Sequence, residues 1–470
     1  QEDHLARCHL PKHGLRFWFT DHDGRRLDEM TEIGPMQTPD LPSYQLDRSV
    51  LDQHLLTTAE AEGSEVLRPA KVVDVELGRP FSRVTLALGP QARSDWGETR
   101  VVRARWVLDA SGRQSFLGRR LKVVEKTDRH PTAALWGRWT GVHDLDGTAI
   151  LGDDPRASRL PDLVPARRLA TNHFCGYGWW CWMIPLAGGQ TSLGLVYDKT
   201  LFEPPGDGPL RQRYLDFVTS QPGLRDLLAD ATLDDDDFLA LRHLSYRASR
   251  TIDDGWALLG DAAAFIDPFY SPGLDYASIS VYATARLLAD DLGGQLDDEA
   301  RRQRIEAHDT AFVGSYDRWF EALYEGKYEI LGDAELTRSA YLLDTALYYV
   351  GVVTPVFETL DALANPLFGL DNRPSRLAYR FMAFYNRRLR RLARLRRLNG
   401  TYGRHNAGRR WYAPAFRLGK PAAGPFLWQG LKIWLGIERE QAMASLRARL
   451  RGRRPDVSKP VPSPTPLASS

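Results

Sequence analysis

The stretch GDAAAFIDPFYSPGLDYAS, residues 260–278, contains residues whose types and spacing could do chemistry. Gly260 has no side chain, so a ligand can approach the backbone closely there. The carboxylate of Asp261 can accept hydrogen bonds from the hydroxyl groups of a sugar-like chain. A helix beginning near Gly273 would point the positive end of its dipole at the turn and favour an electron-rich or anionic group. A plain turn with a capping aspartate is the alternative interpretation.

A proline lies in the turn that leads into this helix. Pro272 has no backbone N–H, so it removes one donor from a place where free N–H groups could bind an anion. Proline is also favoured at the first position of a helix, where its N–H would have no partner, and Ser271 would then be the N-cap. Gly273 and Leu274 would still offer backbone N–H groups to an anion.

Two further stretches could contribute to a site. DASGR (109–113) follows an apolar strand, and Asp109 and Gly112 permit a sharp turn beside a dinucleotide, although a surface turn is the alternative. WWCWMIP (179–185) places Trp180, Trp182 and Ile184 on one face of a strand. That apolar wall could exclude water from a reactive intermediate, or it could be a packed aromatic stripe in the core.

The hydrophobic pattern predicts an α/β fold in which several elements position these stretches. Strand, helix and strand patterns alternate before residue 128, as in nucleotide-binding domains. Successive short strands between 130 and 250 predict a largely antiparallel sheet that forms the wall of a substrate cavity. The predicted divisions are a nucleotide-binding domain at 1–128 and 251–295, a sheet domain at 129–250, a helical C-terminal region at 296–454, and a disordered tail at 455–470.

Composition excludes several classes of protein. The net charge of +2 gives no overall field that would attract nucleic acid. Three cysteines without a C-x-x-C pair indicate neither a disulfide framework nor a structural zinc site, and we expect no metal. A reducing, cytoplasmic location fits this cysteine usage. The most apolar stretch, residues 341–357, contains Asp, Gly and Pro, and we expect a buried helix and turn instead of a membrane span.

WVLDASGRQS, WWCWMIP and GDAAAFIDPFYSPG, in this order, resemble the FAD-dependent halogenases and related flavin monooxygenases, and more distantly the geranylgeranyl-reductase-like flavoproteins. The resemblance covers roughly residues 10–290. It implies an FAD-binding Rossmann-like domain, an antiparallel-sheet substrate domain and a helical C-terminal region. The implied reaction uses a flavin hydroperoxide to oxidise halide or substrate in an apolar cavity.

The resemblance also implies roles for individual residues. Lys12, in the segment LPKHGLRFWF, matches the lysine that holds or directs hypohalous acid, although a solvated lysine beside a turn is equally compatible with the sequence. The residues implied at the cofactor are Arg48, Val72, Asp109, Gly112, Gly260, Asp261, Pro268, Gly273 and Leu274. An ion pair with Asp52 would explain Arg48 nearly as well, and strand core would explain Val72. Trp180, Trp182, Ile184 and Pro185 would line the cavity.

The sequence departs from the family pattern in two places. Tyr270 stands where tryptophan-type halogenases have a glutamate, so free tryptophan is a poor guess for the substrate. No G-x-G-x-x-G string occurs in the chain. We therefore expect that some tens of residues precede Gln1 in the intact protein, that the FAD-binding domain is N-terminally incomplete, and that this chain alone binds FAD weakly or not at all.

Several alternatives remain open at this point. A flavin-dependent reductase or dehydrogenase of an apolar, prenyl-like substrate is the second interpretation, and an inactive fragment that retains the fold is the third. The substrate could be a small molecule or be tethered to a carrier, and a separate reductase could supply reduced flavin. The basic C-terminal helices could be a solvated face, a membrane contact or a contact with an acidic protein.

Overall fold

The structure is a computed structural model that describes residues 1–20, 26–40, 42–90, 98–147, 166–364, 373–414 and 423–450. Its strands are β1 (Leu10–Pro11), β2 (Leu15–Phe19), β3 (Thr31–Pro35), β4 (Tyr44–Gln45), β5 (Ala70–Glu76), β6 (Ser82–Leu88), β7 (Thr99–Ala104), β8 (Val107–Asp109), β9 (Val124–Lys126), β10 (Thr132–Thr140), β11 (Thr171–Gly176), β12 (Trp179–Pro185), β13 (Gln190–Asp198), β14 (Thr232–Leu233), β15 (Leu239–Leu241), β16 (Tyr246–Ala248), β17 (Ile252–Asp253), β18 (Trp256–Leu258), β19 (Ala264–Phe265) and β20 (Arg410–Ala413).

The helices include several long ones in the C-terminal half. They are α1 (Glu2–Cys8), α2 (Arg48–Ala61), α3 (Phe116–Arg120), α4 (Leu210–Ser220), α5 (Pro222–Leu227), α6 (Gly273–Leu292), α7 (Asp298–Trp319), α8 (Ala334–Tyr348), α9 (Thr354–Glu358), α10 (Arg373–Leu398) and α11 (Ala423–Leu450). The segment from 455 to 470, which we expected to be disordered, lies outside the described residues.

The largest sheet has the strand order β14-β10-β13-β12-β11-β2-β3-β20, with β15 also paired to β10. Its centre is antiparallel, as predicted, whereas β2 pairs in parallel with β11 and β20 in parallel with β3. The sheet therefore extends across the predicted divisions, because strands from both ends of the chain join the sheet of residues 129–250. Local periodicity identified these strands but carries no information about their partners.

The large sheet separates two hydrophobic cores. On β12 the residues Trp180 and Trp182 face the core shared with the C-terminal helices, while Trp179, Cys181 and Met183 face the core covered by α4 and α5. This alternation follows from the two-residue repeat of a strand. The structure confirms that Trp180 and Trp182 share one face of the strand, and that face packs in the core, as the alternative interpretation held. None of Trp180, Trp182, Ile184 and Pro185 lines the cavity found beside α6, so the expectation that they line it was wrong for that cavity.

A second, smaller set of sheets forms the part of the molecule that resembles a nucleotide-binding domain. β8 and β18 pair in parallel, and β17 lies on the other side of β18. β5, β6 and β7 form a separate antiparallel sheet. Because Asp109 pairs in register with Leu258, the DASGR turn and the GDAAAF turn leave adjacent strands at the same edge.

The C-terminal region is helical, as predicted, and α8 lies at its centre. Most side chains of α8 are buried, and the helix packs against α10 and α11. The segment Ala334–Glu358 is long and apolar enough to cross a membrane, with a mean hydropathy of 1.3, but half of that window is buried inside the protein. The observed packing agrees with the expected buried helix for the α8 part of this segment.

A buried histidine in the large sheet makes stability dependent on pH. The His173 ring is buried, its Nδ1 lies 3.0 Å from the carbonyl oxygen of Arg16, and it stacks on Phe17 at 4.7 Å. Burial lowers the pKa of His173 to about 3. The folded state therefore favours the neutral ring of His173. The stability that this preference contributes is complete above the pKa of histidine in the unfolded chain, near 6.5, and is lost as the pH falls towards 3.

We expect the free energy of unfolding to fall by about 1.4 kcal/mol per pH unit below pH 6 because of His173 alone. Urea denaturation between pH 7 and pH 4 measures this slope. His173→Asn keeps an N–H near the Arg16 carbonyl but cannot titrate, so it should flatten the slope even if its stability at pH 7 is lower. An unchanged slope in His173→Asn would contradict the assignment.

Candidate active site

The turn between β19 and α6 is held in an unusual conformation by a buried carboxylate. Tyr270 and Ser271 have φ angles of 70° and 57°, values that cost side-chain-bearing residues energy. Asp267, just before the turn, accepts hydrogen bonds from the backbone N–H of Phe269 at 2.9 Å and from the Tyr328 hydroxyl at 2.9 Å. His130 Nε2 lies 2.8 Å from the same carboxylate. The turn is therefore built into the core.

The start of α6 differs from the prediction in one respect. The helix begins at Gly273, as expected, but the N-cap is Pro272 and no side chain caps the first turn, so the assignment of Ser271 as N-cap was wrong. The left-handed backbone of Ser271 directs its N–H to the carbonyl of Pro268 at 2.9 Å. Nothing lies within 4 Å of the position that a Cβ of Gly273 would take, and Leu274 is exposed, so an anion could approach the first N–H groups of the helix.

The second turn, at Gly260 and Asp261, lies against the same helix. Gly260 has a φ of 52°, and its N–H donates to the Ser280 hydroxyl of α6 at 3.0 Å. Burial raises the pKa of the Asp261 carboxyl, and the positive charges of Arg113 and Arg48 oppose that rise. The structure therefore brings together Asp261, Arg48 and an arginine that sequence reasoning did not single out.

Arg48 also makes the ion pair that the alternative interpretation predicted. Its guanidinium donates two hydrogen bonds to Asp52, at 2.8 and 3.1 Å. Arg113, by contrast, donates to the backbone carbonyls of His243 and Leu244 at 2.7 and 2.9 Å and stacks over the Tyr246 ring. Arg113 belongs to the DASGR stretch, and its position beside a predicted site turn was the signal that could have identified it.

The DASGR turn uses its aspartate internally. Asp109 is buried and accepts hydrogen bonds from the backbone N–H groups of Ser111 at 2.9 Å and Leu117 at 2.7 Å. Its carboxylate therefore shapes the turn. Gly112 has a φ of 62°, and nothing lies within 4 Å of the position that a Cβ would take. The turn thus exposes backbone at Gly112.

The remaining predicted cofactor residues have different surroundings. Val72 is an exposed residue of β5, where the register with β6 shifts between Val72 and Asp74, so it is not a core residue of the strand. Pro268 is half-buried and directly follows Asp267 in the chain.

The tryptophans of β12 lie next to the turn between β19 and α6, and Trp180 contacts it directly. Trp180 is buried, its Nε1 donates to the Tyr328 hydroxyl at 2.9 Å, and its ring meets Phe269 edge-on at 5.2 Å. Trp182 is half-buried beside Trp180, with ring centroids 5.9 Å apart. Ile184 and Pro185, at the end of the strand, are also half-buried. Trp180 is thus joined through Tyr328 to Asp267, and so to the turn that precedes α6.

A cavity of about 120 Å³ lies in front of this turn, between α6 and the C-terminal helices. Aromatic side chains form most of its wall. The lining residues are Leu15, Tyr270, Pro272, Asp275, Trp319, Leu323, Tyr324, Tyr341, Asp344, Thr345 and Tyr348. The two carboxylates in this set are Asp275, which accepts a hydrogen bond from Tyr348 at 2.9 Å, and Asp344. The wall of the cavity is therefore mainly aromatic and apolar, and it contains two carboxylates.

Lys12 lies within electrostatic range of Asp275, one of the two carboxylates of the cavity wall. It is half-buried after β1, where its backbone N–H donates to the carbonyl of Ser43 at 2.6 Å. Burial lowers the pKa of the Lys12 ammonium, and the charge of Asp275 opposes this. Burial raises the pKa of Asp275, which the hydrogen bond from Tyr348 and the charge of Lys12 oppose. Sequence reasoning identified Lys12 but missed Asp275 and Tyr348.

The other carboxylate of the cavity belongs to a fully buried ion pair. Lys327 Nζ donates to Asp344 Oδ2 at 2.7 Å and to Asn386 Oδ1 at 2.8 Å. Tyr270 donates to the same Asp344 oxygen at 3.2 Å, which ties the turn to α8. Nothing in the sequence pattern marks Lys327, because its partners come from distant helices. Among the described residues, no group of His, Cys, Asp or Glu is arranged to hold a metal ion.

A sequence model of the family described as tryptophan halogenase matches residues 22–316 of this chain. The chain belongs to the tryptophan halogenase family. The match covers more than half of the chain, and it includes the turn, the tryptophan strand and α6. The resemblance inferred from the three motifs is thereby confirmed.

Curated relatives of this halogenase-family chain are distant. A flavin-dependent halogenase of Armillaria mellea is 24% identical over 308 residues, which are 63% of this chain and 55% of the relative. A 1H-pyrrole-2-carbonyl-[peptidyl-carrier protein] chlorinase of Pseudomonas fluorescens is 25% identical over 380 residues, 79% of each chain. This chain spans about half the length of several of the curated relatives that it matches, such as those of Armillaria mellea and Dictyostelium discoideum.

The fold of this tryptophan halogenase family chain is similar to that of a solved halogenase. The crystal structure of halogenase PltM superimposes with a TM-score of 0.68 at 16% identity, covering 92% of this chain and 81% of PltM. The predicted α/β class with a Rossmann-like FAD domain is consistent with this likeness and is confirmed at the level of the fold.

Proposed function

We propose that this protein is an FAD-dependent halogenase that acts on a small, electron-rich aromatic ring. The observation that carries the proposal is the cavity beside the Tyr270–Gly273 turn, with Asp275 in its wall and Lys12 within electrostatic range of that carboxylate. A positively charged proton donor near a carboxylate in the wall of an apolar cavity supplies a proton donor and a proton acceptor for the electrophilic substitution of a ring.

The residues at the two turns fit part of an FAD molecule. The exposed backbone at Gly112, the close backbone at Gly260 and the half-buried carboxylate of Asp261 would hold phosphate and ribityl groups, and Arg113 would add positive charge. Bound and reduced FAD would give two electrons to dioxygen, and the oxygen activated in this way would take two further electrons from a halide, which is thereby oxidised. A structure of halogenase PltM in complex with phloroglucinol and FAD has a similar fold, with a TM-score of 0.67.

The size of the cavity supports a single-ring substrate. An apolar cavity of roughly 150 Å³ is known to hold one benzene ring, and this cavity measures about 120 Å³. Its aromatic wall excludes water from the reacting atoms. The chlorinase relative acts on a carrier-bound pyrrole, so both a free ring and a carrier-tethered ring are compatible with the proposal. A separate reductase would supply reduced flavin in either case.

The proposed proton movements balance. The ammonium of Lys12 hydrogen-bonds to hypohalous acid and polarises its oxygen–halogen bond. As the ring carbon attacks the halogen, that bond breaks, and the departing hydroxide takes a proton from Lys12 to give water. Asp275 then accepts the proton that the ring carbon loses, so that the ring gains a halogen in place of hydrogen.

Halide-dependent product mass is the test of the proposed function. Because weak FAD binding is expected, the protein is incubated with FAD in large excess, together with a flavin reductase, oxygen and phloroglucinol, in chloride and then in bromide. Product that carries the supplied halogen supports the proposal. Hydroxylated product without halide would indicate a plain monooxygenase, anaerobic turnover would indicate a reductase, and FAD binding without any turnover would indicate an inactive relative. Each of these three results would overturn the proposal.

Substitution of Asp275 should move the pH dependence of the reaction in a defined direction. In Asp275→Asn the charge that raises the pKa of Lys12 is absent, so the Lys12 pKa falls further and the alkaline limb of the rate profile moves to lower pH. In Tyr348→Phe the hydrogen bond that lowers the Asp275 pKa is absent, so the acidic limb moves to higher pH. We expect Asp275→Asn to lose roughly 10²-fold in kcat.

The two variants together separate charge effects from damage to the fold. A structural defect would lower the rate at every pH and leave both limbs in place. Parallel loss of activity without displacement of either limb would contradict the role assigned to Asp275.

A further inference from the structure

The arginines of α10 divide into a set that forms ion pairs with acidic side chains and a set that does not. The 26-residue helix contains ten arginines and no acidic residue. The paired arginines are neutralised by acids of neighbouring elements: Arg388 pairs with Glu438, Arg394 with Glu329, and the buried Arg396 with Asp333 at 2.8 Å. Part of the positive charge of α10 therefore serves to hold this helix against its neighbours.

Four other exposed arginines of α10 have no such partner, whereas the exposed Arg387 pairs with Glu321. Arg373, Arg376, Arg380 and Arg391 are exposed, and within the described part of the chain no acidic side chain forms an ion pair with them. The same face exposes 71% of Leu377 and 50% of Phe384. Positions 373, 377, 380, 384 and 391 recur at helical spacing, so cationic and apolar side chains alternate along one stripe.

α11 presents a second stripe of the same kind. Trp428, Leu435 and Leu446 are exposed by 70%, 62% and 58%. Lys432 and Arg439 lie between them, each three or four residues from an exposed apolar neighbour, and both are exposed without an ion-pair partner among the described residues. The acids of α11 face other residues instead: Glu438 pairs with Arg388, and Glu440 pairs with Arg404.

The two stripes lie on adjoining helices. The Phe384 ring of α10 contacts the Trp434 ring of α11 with centroids 5.9 Å apart, and Leu435 directly follows Trp434. We call the outward stripes of α10 and α11 the basic apolar face. Single exposed apolar residues are ordinary on a protein surface, but five large ones interspersed with unpaired cations on two adjacent helices indicate a surface that is covered in use.

We propose that the basic apolar face rests on a lipid bilayer that contains anionic phospholipids. The unpaired arginines would contact lipid phosphates, to which guanidinium groups bind in a bidentate manner. Trp428, Leu377 and Leu435 would enter the boundary between head groups and acyl chains, where tryptophan is favoured. Both the unpaired positive charges and the exposed apolar side chains match a lipid surface. An acidic protein would pair with the arginines, but its binding would not account for the large exposed apolar side chains between them. This proposal is independent of the halogenase assignment.

Vesicle co-sedimentation tests the proposal with the whole chain. We expect binding to vesicles of phosphatidylcholine with phosphatidylglycerol, much weaker binding to phosphatidylcholine alone, and weaker binding as salt concentration rises. The variant R373Q/R380Q/R391Q should lower the partition coefficient roughly 100-fold, because each juxtamembrane cation contributes about a factor of five. L377S/W428S/L435S should lower it at least roughly tenfold.

Matched controls change the same residue types elsewhere. R83Q/R225Q/R302Q removes three exposed arginines outside the two helices and should bind vesicles as the parent does. Val101→Ser removes an exposed apolar residue of β7 and should also leave binding unchanged. Circular dichroism of every variant confirms that the fold is retained.

Three results would overturn the proposal. Equal binding to neutral and anionic vesicles, or an equal loss in the control variants, would remove the assigned role of the face. Dimers that dissociate in L377S/W428S/L435S, without vesicle binding by the parent, would show a second copy on this face. Retention on immobilised polyglutamate without vesicle binding would show that an acidic protein is the partner.

Discussion

Replacement of Lys12 by methionine is expected to lower the rate of halogenation by roughly 10²- to 10⁴-fold, the range for loss of a positioned proton donor. Methionine keeps most of the length of the side chain but has neither charge nor an N–H group. The loss should appear in kcat because the ammonium acts on the oxidised halogen and not on the ring. The measurement is halide-dependent product formation under single-turnover conditions with reduced FAD.

The control for Lys12 is an exposed lysine that follows β13 of the large sheet. Lys199→Met, at a surface position where the ammonium donates to the carbonyl of Arg242, should retain the parental rate. Lys12→Arg restores charge without an easily transferred proton, so it should recover little activity. Retention of more than about a tenth of the parental rate in Lys12→Met would remove Lys12 from the mechanism, because general acid catalysis contributes more than this.

Substitution of Asp344 is expected to have the largest effect on stability. Removal of one partner from a buried ion pair leaves an uncompensated charge and costs about 3–5 kcal/mol. Asp344→Leu would leave the Lys327 ammonium buried, where burial already lowers its pKa, and would free Tyr270 from α8. Urea denaturation should show the lost free energy of unfolding. The milder Asp344→Asn retains the size of the side chain if the leucine variant does not fold.

A double variant distinguishes charge from packing. Lys327→Met/Asp344→Leu replaces both charges with apolar groups and should recover the part of the lost stability that comes from the unpaired ammonium. The part that comes from Tyr270, Tyr385 and Asn386, which lose their acceptor on Asp344, should remain lost. Arg302→Ala removes an exposed pair with Glu299 and should change the free energy of unfolding by less than about 1 kcal/mol. If the double variant were as unstable as Asp344→Leu, the loss would come from packing and from the donors that lose their acceptor on Asp344, and not from an unpaired charge.

Local patterns predicted the elements of the site well. The two-residue repeat of β12 placed Trp180 and Trp182 on one face, and the structure confirms that face. The start of α6 at Gly273 was also predicted, because glycine, proline and the following apolar repeat act over a few residues. The N-cap assignment failed at Ser271, because Asp267 and the core around it hold the turn in a left-handed conformation that local propensity does not favour.

The sequence by itself determined the family, the α/β class, the two turns and Lys12 as a candidate for the chemistry. Each of these depends on residue types within a short stretch, where backbone conformation and side-chain chemistry are decided locally. The packed structure was needed to show that the charge of Asp275 acts on Lys12, that strands from both ends of the chain complete one sheet, and that Lys327 pairs with Asp344. Burial and electrostatic attraction act between residues that are distant in the chain, so their partners emerge only when the elements pack.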